Sequence, residues 1–190
     1  MIFEGLMTSK NENGVINVAP MGPIVRGDFE SLLLRPFEGS TTFQNLLTTR
    51  RGVFHVVDQV DLIAEAAVRK LQQLPATLPA EVVDGVVLED CCRWFELEVT
   101  TVDTSQPRSE MEARVVHRGK RRSFQGFNRA RHAVIEAAIL ATRLHLIPRA
   151  EIEAQYDLLQ SAVEKTGGER ESAAFEMLRA FVRESEGTPS

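Results

Sequence analysis

The first two thirds of the chain consist of short apolar segments separated by polar turns. Apolar and polar residues alternate over 15–21, and the pair Asn13–Gly14 stands directly before this segment. Because both residues tolerate the positive φ angles of a tight turn, the pattern predicts a hairpin centred on this pair. Further short apolar segments occupy 29–34, 53–57, 86–92, 94–102 and 111–117. Together they predict an antiparallel barrel or sandwich.

Helical spacing begins near residue 61 and dominates after residue 128. The apolar residues of 61–71 recur at intervals of three and four, which predicts an amphipathic helix packed on the barrel. After Asn128, a favoured N-cap residue, three periodic stretches predict three helices, with breaks at Pro148 and at Gly167–Gly168. The first of these is apolar around most of its circumference and should therefore be buried. A β domain followed by a small helical domain is predicted.

A polar stretch in the first third has features of a phosphate site. Thr41 and Gln44 have capping-box spacing, which predicts a short helix over 41–51 with its first N–H groups exposed. A helix N-terminus with hydroxyl groups beside it, and with Arg35 nearby in sequence, favours the binding of a phosphate. A well-capped helix that binds nothing is the alternative interpretation of the same residues.

The return strand of the hairpin has the properties of a pocket wall. Asn17 and Ala19 share one predicted face of the strand, and Pro20 has no N–H group. The backbone can therefore lie close to a flat ligand at this point. The segment thus predicts an apolar wall to which Asn17 adds a polar group.

Four motifs of the chain resemble the flavin reductase-like FMN-binding split barrels. They are TSKNENG at 8–14, NVAPMG at 17–22, RPF at 35–37 with Thr42 and Asn45, and VFHVVD at 53–58. The order of elements is similar to that of a group of uncharacterised archaeal and bacterial flavoproteins with a C-terminal helical domain. The resemblance implies an α+β fold, with an antiparallel Greek-key split β-barrel over 1–126 and an all-helical domain over 127–190.

The resemblance also implies FMN as the cofactor. The segment 8–10 and the Thr-x-x-Asn of the short helix would hold the phosphate and the ribityl chain, and the strand 17–21 would lie along the isoalloxazine ring. His55 is a departure from the family pattern, because related flavin reductases often carry asparagine at this place. The predicted cofactor-binding residues are Thr8, Ser9, Lys10, Asn17, Val18, Ala19, Pro20, Arg35, Thr41, Thr42, Asn45 and His55.

Composition and charge exclude several classes of function. The 190 residues are 43% hydrophobic and 26% charged, with a formal net charge of -5. This balance is typical of a globular protein and argues against a general nucleic-acid or anionic-membrane binder. The sequence shows neither a membrane-spanning run nor a signal peptide, and its cysteines and histidines lack metal-ligand spacing. Since the adjacent Cys91 and Cys92 are unsuited to a structural disulfide, we expect a cytoplasmic protein.

The segment 118–132 departs from this acidic average, because it contains six Lys or Arg residues and no acidic residue. It is either a site for an anion, such as a nicotinamide phosphate, a polyanionic substrate or the flavin phosphate of a partner subunit, or a solvated basic turn. A nucleic-acid site is less favoured, because only two phenylalanines accompany the charges. Under the first interpretation, replacing Arg121 and Arg122 with alanine should weaken the binding of flavin or of a second substrate.

The sequence contains no recognisable catalytic apparatus of its own, so redox chemistry would come from the flavin. The hypothesis is an FMN-dependent oxidoreductase or flavin reductase-like protein of unknown substrate, with a nicotinamide or deazaflavin as candidate electron donor. We expect a homodimer with FMN near the interface, because a split barrel leaves an edge and a shallow face to cover. The alternatives are a non-catalytic FMN carrier or sensor, and a binding module for another planar phosphate ligand such as a pterin or pyridoxal phosphate.

Overall fold

The computed structural model describes residues 1–105 and 108–185. The chain divides into two compact units. The barrel unit comprises Met1–Val57 and Gln73–Phe124, and the helical unit comprises Asp58–Gln72 and Gln125–Ser190. No helix in the described part of the chain is both long and apolar enough to span a bilayer.

The barrel unit contains nine strands and one helix among its described residues. The strands are β1 (Gly5–Lys10), β2 (Ile16–Met21), β3 (Ile24–Arg26), β4 (Ser31–Leu34), β5 (Arg51–Val56), β6 (Thr77–Pro79), β7 (Val86–Leu88), β8 (Arg93–Asp103) and β9 (Glu110–Lys120). The helix, α1 (Thr41–Thr49), lies between β4 and β5 in the chain.

Seven of these strands form one curled antiparallel sheet in the order β2-β1-β5-β8-β9-β4-β3, whereas β6 and β7 pair separately. An isolated bridge between Ile2 and Ile24 joins the segment before β1 to the far edge strand β3. The N–H of Val25 donates to the carbonyl of Met1 beside it, at 2.8 Å. The sheet therefore curls back on itself, while β2 remains an edge strand, where Pro20 costs no ladder hydrogen bond.

The interior of the curled sheet is filled by side chains from alternate positions of β8. Phe95, Leu97 and Val99 point into one buried cluster together with Met7 of β1. The ring of Phe95 stacks on Phe29 with ring centroids 4.2 Å apart. Burial of these apolar side chains is the main driving force for this part of the fold.

The predicted β1–β2 hairpin is confirmed, but its turn is wider than predicted. The N–H of Asn11 donates to the carbonyl of Val15 at 3.1 Å, which leaves three residues between this pair. Gly14 has a φ of 77°, and Asn13 is not among the residues of positive φ. The side chain of Asn11 accepts bonds from the N–H groups of Asn13 and Val15, so only the glycine needs a left-handed conformation.

The start of α1 also differs from the prediction. The N-cap residue is Ser40, whose hydroxyl oxygen accepts from the N–H of Phe43 at 3.1 Å. The predicted capping box of Thr41 and Gln44 is therefore wrong, and the Gln44 amide donates to a loop carbonyl instead. Arg50 closes the helix in a left-handed conformation, with a φ of 58°, so β5 starts at Arg51. The cap lies one residue earlier because serine and threonine are both good N-cap residues and spacing alone does not choose between them.

Two other strands are shorter than the apolar runs suggested. Phe29 has a φ of 55° and belongs to a turn, so β4 begins at Ser31. β7 ends at Leu88, and its one strand partner among the described residues is β6, a strand that the apolar pattern did not predict. A short apolar run marks burial, and burial continues beyond the hydrogen-bonded strand.

The helical unit contains α2 (Val60–Ala67), α3 (Arg129–Ala141), α4 (Arg149–Thr166) and α5 (Glu169–Glu184). The predicted N-cap of α3 is confirmed, because the side chain of Asn128 accepts from the N–H of Arg131 at 3.1 Å. The apolar face of α2 joins one buried cluster with α3 and α5, through Val60, Ala64 and Val68. The prediction that this helix packs on the barrel stays a prediction, and the cluster shows that α2 has an apolar face within the helical unit.

Tyr156 supplies the test of packing in the helical unit. Its ring is buried against Phe175, with ring centroids 5.3 Å apart, and its hydroxyl donates to the carbonyl of Ala137 at 2.7 Å. We expect Tyr156→Phe to lower the free energy of unfolding of this unit by about 1 kcal/mol, because one buried hydrogen bond is lost while the ring remains. Urea unfolding followed by far-ultraviolet circular dichroism measures this. An unchanged midpoint would mean that the bond contributes nothing.

Candidate functional site

Four polar side chains meet between α1 and the β1–β2 hairpin, and we call them the α1 polar cluster. The amide of Asn17 donates to the hydroxyl of Thr42 at 3.0 Å. The amide of Asn45 donates to the hydroxyl of Ser9, also at 3.0 Å. Ser9, Thr42 and Asn45 are buried, whereas Asn17 is partly exposed. The cluster therefore reaches the surface of the barrel unit at Asn17.

Strand register and helix periodicity explain why these four residues meet. Ser9 and Asn17 are direct partners across the β1–β2 ladder, so their side chains share one face of the hairpin. Thr42 and Asn45 are three residues apart on α1 and share one face of the helix. The resemblance assigned Asn17 to the ring end and Thr42 to the phosphate end of one expected FMN site. In the structure these two side chains are in direct contact.

The cluster and the first turn of α1 offer hydrogen-bond donors to a ligand. The hydroxyl groups of Ser9 and Thr42 accept the two amide bonds, so each retains its own proton for another acceptor. Among the described residues, the backbone N–H groups of Thr41 and Thr42 have no acceptor. The first turn also lacks an acidic side chain. An anion placed there would meet donors and the positive end of the helix without competition from a carboxylate.

Arg35, in the loop before α1, has a buried donor without a partner. Its Nε atom is buried and makes no hydrogen bond to any described residue. The carbonyl of Arg35 accepts from Arg108, and the next carbonyl, that of Pro36, accepts from the hydroxyl of Ser109 at 2.6 Å. These bonds hold the backbone of the loop in place. A buried guanidinium N–H without an acceptor is costly, and a bound anion would satisfy it.

Other predicted cofactor-binding residues point to the opposite face of the hairpin and hold the β6–β7 hairpin. The hydroxyl of Thr8 donates to the carbonyl of Val86 at 2.6 Å. The ammonium of Lys10 pairs with Asp84 at 2.7 Å. Because side chains alternate along a strand, Thr8 and Lys10 cannot share a face with Ser9. These two side chains therefore have structural partners within the chain.

His55 also belongs to this second face and is enclosed by backbone. Its Nε2 accepts from the N–H of Leu88 at 3.1 Å, so Nδ1 carries the proton and donates to the carbonyl of Leu6 at 3.2 Å. The side chain is 0% exposed, and burial lowers its pKa from 6.5 to about 4, against a smaller opposing effect of the Leu6 carbonyl. Both ring nitrogens are thus occupied, and the geometry gives no support to a contact between His55 and a ligand.

The remaining predicted residues are placed by the same alternation. Val18 pairs with Thr8 on the second face and is buried. Ala19 lies on the face of the α1 polar cluster, and Pro20 follows it in the edge strand. Thr41 is exposed at the first position of α1. A ligand could therefore contact the backbone at Ala19–Pro20 and the N–H of Thr41.

Glu96 has a structural role that the sequence analysis did not identify. Its carboxylate accepts from the N–H groups of Glu81, Val82 and Val83 at 2.7–2.9 Å and from the Trp94 indole at 3.3 Å. Burial raises its pKa, but these four donors outweigh burial and leave the pKa below its usual value. Glu96 therefore holds the loop that carries Asp84. In the sequence it looks like a polar outer-face residue, and no local signal indicates that a loop covers it.

The basic segment 118–132 is divided between the two units. Arg121 donates to the carbonyl of Glu89, and Arg122 pairs with Asp90 at 2.6 Å. Further along, Arg131 belongs to α3 and pairs with Glu171 at 3.1 Å. Among the described residues, no three His, Cys, Asp or Glu side chains converge as they would around a metal ion.

Sequence comparison matches the chain to two family models. Residues 3–122 match the model described as protein of unknown function (DUF447), N-terminal domain, and residues 128–180 match the model described as protein of unknown function (DUF447). No curated protein matches the chain.

Solved structures share the fold. An FMN-bound protein of Methanosarcina mazei with the same family model is 22% identical, with a TM-score of 0.81 over 95% of this chain and 94% of that one. The 2-nitrobenzoate 2-nitroreductase of Pseudomonas fluorescens is 19% identical, with a TM-score of 0.53 over 62% and 64% of the two chains. The styrene monooxygenase flavin reductase of Pseudomonas putida is 14% identical, with a TM-score of 0.51 over 62% and 77%. These likenesses confirm the predicted split β-barrel with a C-terminal helical region.

Proposed function

Because the chain belongs to the DUF447 family, whose two models it matches in order, we propose that it is a flavoprotein that binds FMN in its barrel unit. The observation that carries the proposal is the meeting of Ser9, Asn17, Thr42 and Asn45 beside the N-terminus of α1. The FMN bound to the Methanosarcina mazei protein, whose structure is similar over nearly the whole chain, supports the choice of cofactor. We propose residues 1–126 as the FMN-binding domain and 127–190 as the helical domain, with α2 lying within the first range in sequence but belonging to the helical unit.

The donors at the start of α1 fit the phosphate end of FMN. The N–H groups of Thr41 and Thr42, the hydroxyl of Thr42 and the unpartnered Nε of Arg35 are the groups that would hold it. Ser9, Asn17 and Asn45 would then face the hydroxyl groups of the ribityl chain. Thr8, Lys10 and Val18 act indirectly in this proposal, because they hold the hairpin from its other face.

The edge strand β2 fits the flat ring. Ala19 has a small side chain and Pro20 has no N–H, so the backbone there can lie close to the ring. FMN supplies electron transfer when bound. The α1 polar cluster consists only of amides and hydroxyls, which do not titrate near neutral pH, so the chain binds and orients the cofactor there.

We further propose that the protein is an oxidoreductase of the flavin reductase type, with a nicotinamide or deazaflavin as electron donor. Support comes from the activities named for the two Pseudomonas proteins of similar fold. A non-catalytic carrier would bind FMN equally well. Anaerobic mixing of the FMN-loaded protein with NADH, NADPH or a reduced deazaflavin separates the two, because only an oxidoreductase loses flavin absorbance at about 450 nm.

We propose a homodimer with FMN near the interface. Val15 and Phe37 have exposed fractions of 61% and 66%, and both lie close in sequence to elements of the proposed site. Edge strand β2 and these apolar side chains are surfaces that a second copy would cover.

The free thiols of Cys91 and Cys92 support the expected cytoplasmic location.

Replacing Thr42 with valine tests the FMN site. We expect Thr42→Val to weaken FMN binding about tenfold or more, because the hydroxyl that would reach the phosphate is lost while the size of the side chain is kept. Thr48→Val on the exposed face of the same helix is the control, since its hydroxyl donates to the carbonyl of Gln44 in the same helix. Fluorescence titration of FMN into flavin-free protein measures both. Equal affinities of the two variants would contradict the proposed site.

A further inference from the structure

A cavity of about 580 Å³ opens where β5 ends, β8 begins and β9 ends. Its volume lies within the range of pockets that hold small organic ligands. The cavity, which we call the basic pocket, belongs entirely to the barrel unit. It is lined by Val56, Cys92, Arg93, Arg118, Gly119, Lys120, Arg122, Ser123 and Phe124.

The basic pocket is separate from the α1 polar cluster. In the β1–β5 ladder Thr8 pairs with Val53 and Leu6 pairs with His55, so Ser9 lies at the Gly52 end of β5. Val56, which lines the pocket, is at the other end of the same strand. Four residues of extended chain span about 13 Å. The two places are therefore at opposite ends of β5.

The lining of the basic pocket carries a surplus of positive charge. Four cationic side chains line it, and no acidic residue does. Arg122 pairs with Asp90 at 2.6 Å, and Arg118 lies 4.0 Å from Asp28. Among the described residues, Arg93 and Lys120 have no ion pair. Two positive charges are thus left for a ligand, which favours an anion of about two charges.

Arg93 is held in place without using its hydrogen-bond donors. Its guanidinium carbon lies 5.5 Å from the ring centre of Phe29 and 5.1 Å from that of Phe95. These two rings stack on each other and are buried, so the platform is rigid. Within the described chain the N–H groups of Arg93 make no hydrogen bond. A guanidinium that is oriented by aromatic faces and free of a carboxylate is prepared for a phosphate.

The pocket also offers apolar surface to a flat ring. The side chain of Phe124 is 47% exposed at its rim, and Val56 lines its wall. Gly119 also lines the pocket. A Cβ atom at this position would lie 2.1 Å from the ring of Trp94, which packs against the glycine, so a larger residue does not fit there. The only tryptophan of the chain therefore lies directly behind the pocket lining.

We propose that the basic pocket binds a nucleotide, with its pyrophosphate group on Arg93 and Lys120 and its base against Phe124. The surplus of two charges, the prepared Arg93 and the exposed aromatic ring fit this class of ligand together, and a small inorganic anion would fill little of the volume. The proposal does not rest on FMN binding at the α1 polar cluster.

The test is a titration of the full-length, FMN-loaded protein with ADP, inorganic pyrophosphate and adenosine, followed by calorimetry and by Trp94 fluorescence. Arg93→Met and Lys120→Met remove the charges and keep apolar stems over the same surface. Arg114→Met is the control, since Arg114 lies on β9 outside the pocket, 67% exposed and paired with Glu98. We expect ADP to bind more tightly than pyrophosphate or adenosine, and each pocket variant to weaken ADP about tenfold while the control changes less than about twofold.

Several outcomes would overturn the nucleotide proposal. They are the absence of ADP binding at about 1 mM, equal binding of ADP and pyrophosphate, and an equal loss of affinity in Arg114→Met. The dissociation constant of FMN is measured for the same variants. If Arg93→Met weakens FMN as much as ADP, the pocket belongs to the flavin site and the proposal is also wrong. If the wild-type protein binds ADP but not FMN, only the proposed flavin site fails.

Discussion

Replacing Glu96 with alanine is expected to lower the free energy of unfolding of the barrel unit by about 4 kcal/mol, because it removes four hydrogen bonds and leaves the buried donors of Val83 and Trp94 without an acceptor. The side chain is 0% exposed and accepts from three consecutive backbone N–H groups and one indole. Glu96→Gln should cost about half as much, since one amide oxygen can keep two of the donors. Urea unfolding followed by the fluorescence of Trp94, which belongs to the barrel unit, measures the change.

Glu98→Gln is the matched control for Glu96. Glu98 is two residues further on β8, is 43% exposed and has Arg114, at 3.0 Å, as its one ion-pair partner within the described residues, so its loss should cost less than about 1 kcal/mol. Since the folded-state pKa of Glu96 is lowered, its contribution is complete above the unfolded pKa and is lost as pH falls through the lower folded value. Glu96→Gln should lack this acid-side loss. Equal effects of the Glu96 and Glu98 variants would contradict the structural role of Glu96.

Acidification is expected to destabilise the barrel unit through His55, before Glu96 protonates. The imidazole is neutral and buried, with its pKa lowered to about 4, whereas in the unfolded chain it takes up a proton near pH 6.5. The stability it supports is therefore complete above pH 6.5 and is lost as pH falls towards about 4. Since each pH unit is worth about 1.4 kcal/mol, the loss over this window is about 3 kcal/mol.

His55→Asn isolates this effect. Asparagine can keep the donor to the carbonyl of Leu6 but does not reach the N–H of Leu88, so stability at pH 7 should fall by about 1–3 kcal/mol. The variant should also lose the slope between pH 6.5 and about 4. His145→Asn removes an exposed histidine and should keep the slope. Urea unfolding at a series of pH values, followed by Trp94 fluorescence, checks this, and a slope that persists in His55→Asn would refute the assignment.

Glu96 and His55 hold the same segment from two sides. Glu96 binds the loop between β6 and β7, and His55 binds the backbone at Leu88. Thr8 and Lys10 add bonds from β1. The β6–β7 hairpin therefore rests on the face of β1 opposite to the α1 polar cluster, which explains why Thr8, Lys10 and His55 have partners within the chain.

Local chemistry in the sequence was enough to place most elements. Alternation of side chains identified the strands, the Asn13–Gly14 pair marked the hairpin, and Asn128 marked the start of α3. These features depend on near neighbours along the chain, whose interactions are the same in any fold. The family motifs assigned Asn17 and the Thr-x-x-Asn of α1 to one site, and the 3.0 Å bond from Asn17 to Thr42 agrees with that expectation.

The tertiary structure decided which neighbour each of these local features meets. The apolar face of α2 packs in the helical unit, the polar face of β8 is covered at Glu96, and Arg93 gains its aromatic platform from Phe29. Each of these contacts joins residues far apart in the chain, and neither the period nor the composition of a segment specifies its distant partner. The sequence by itself therefore determined the elements and their faces, and only the folded chain decided which polar and charged groups are enclosed and which remain available to a ligand.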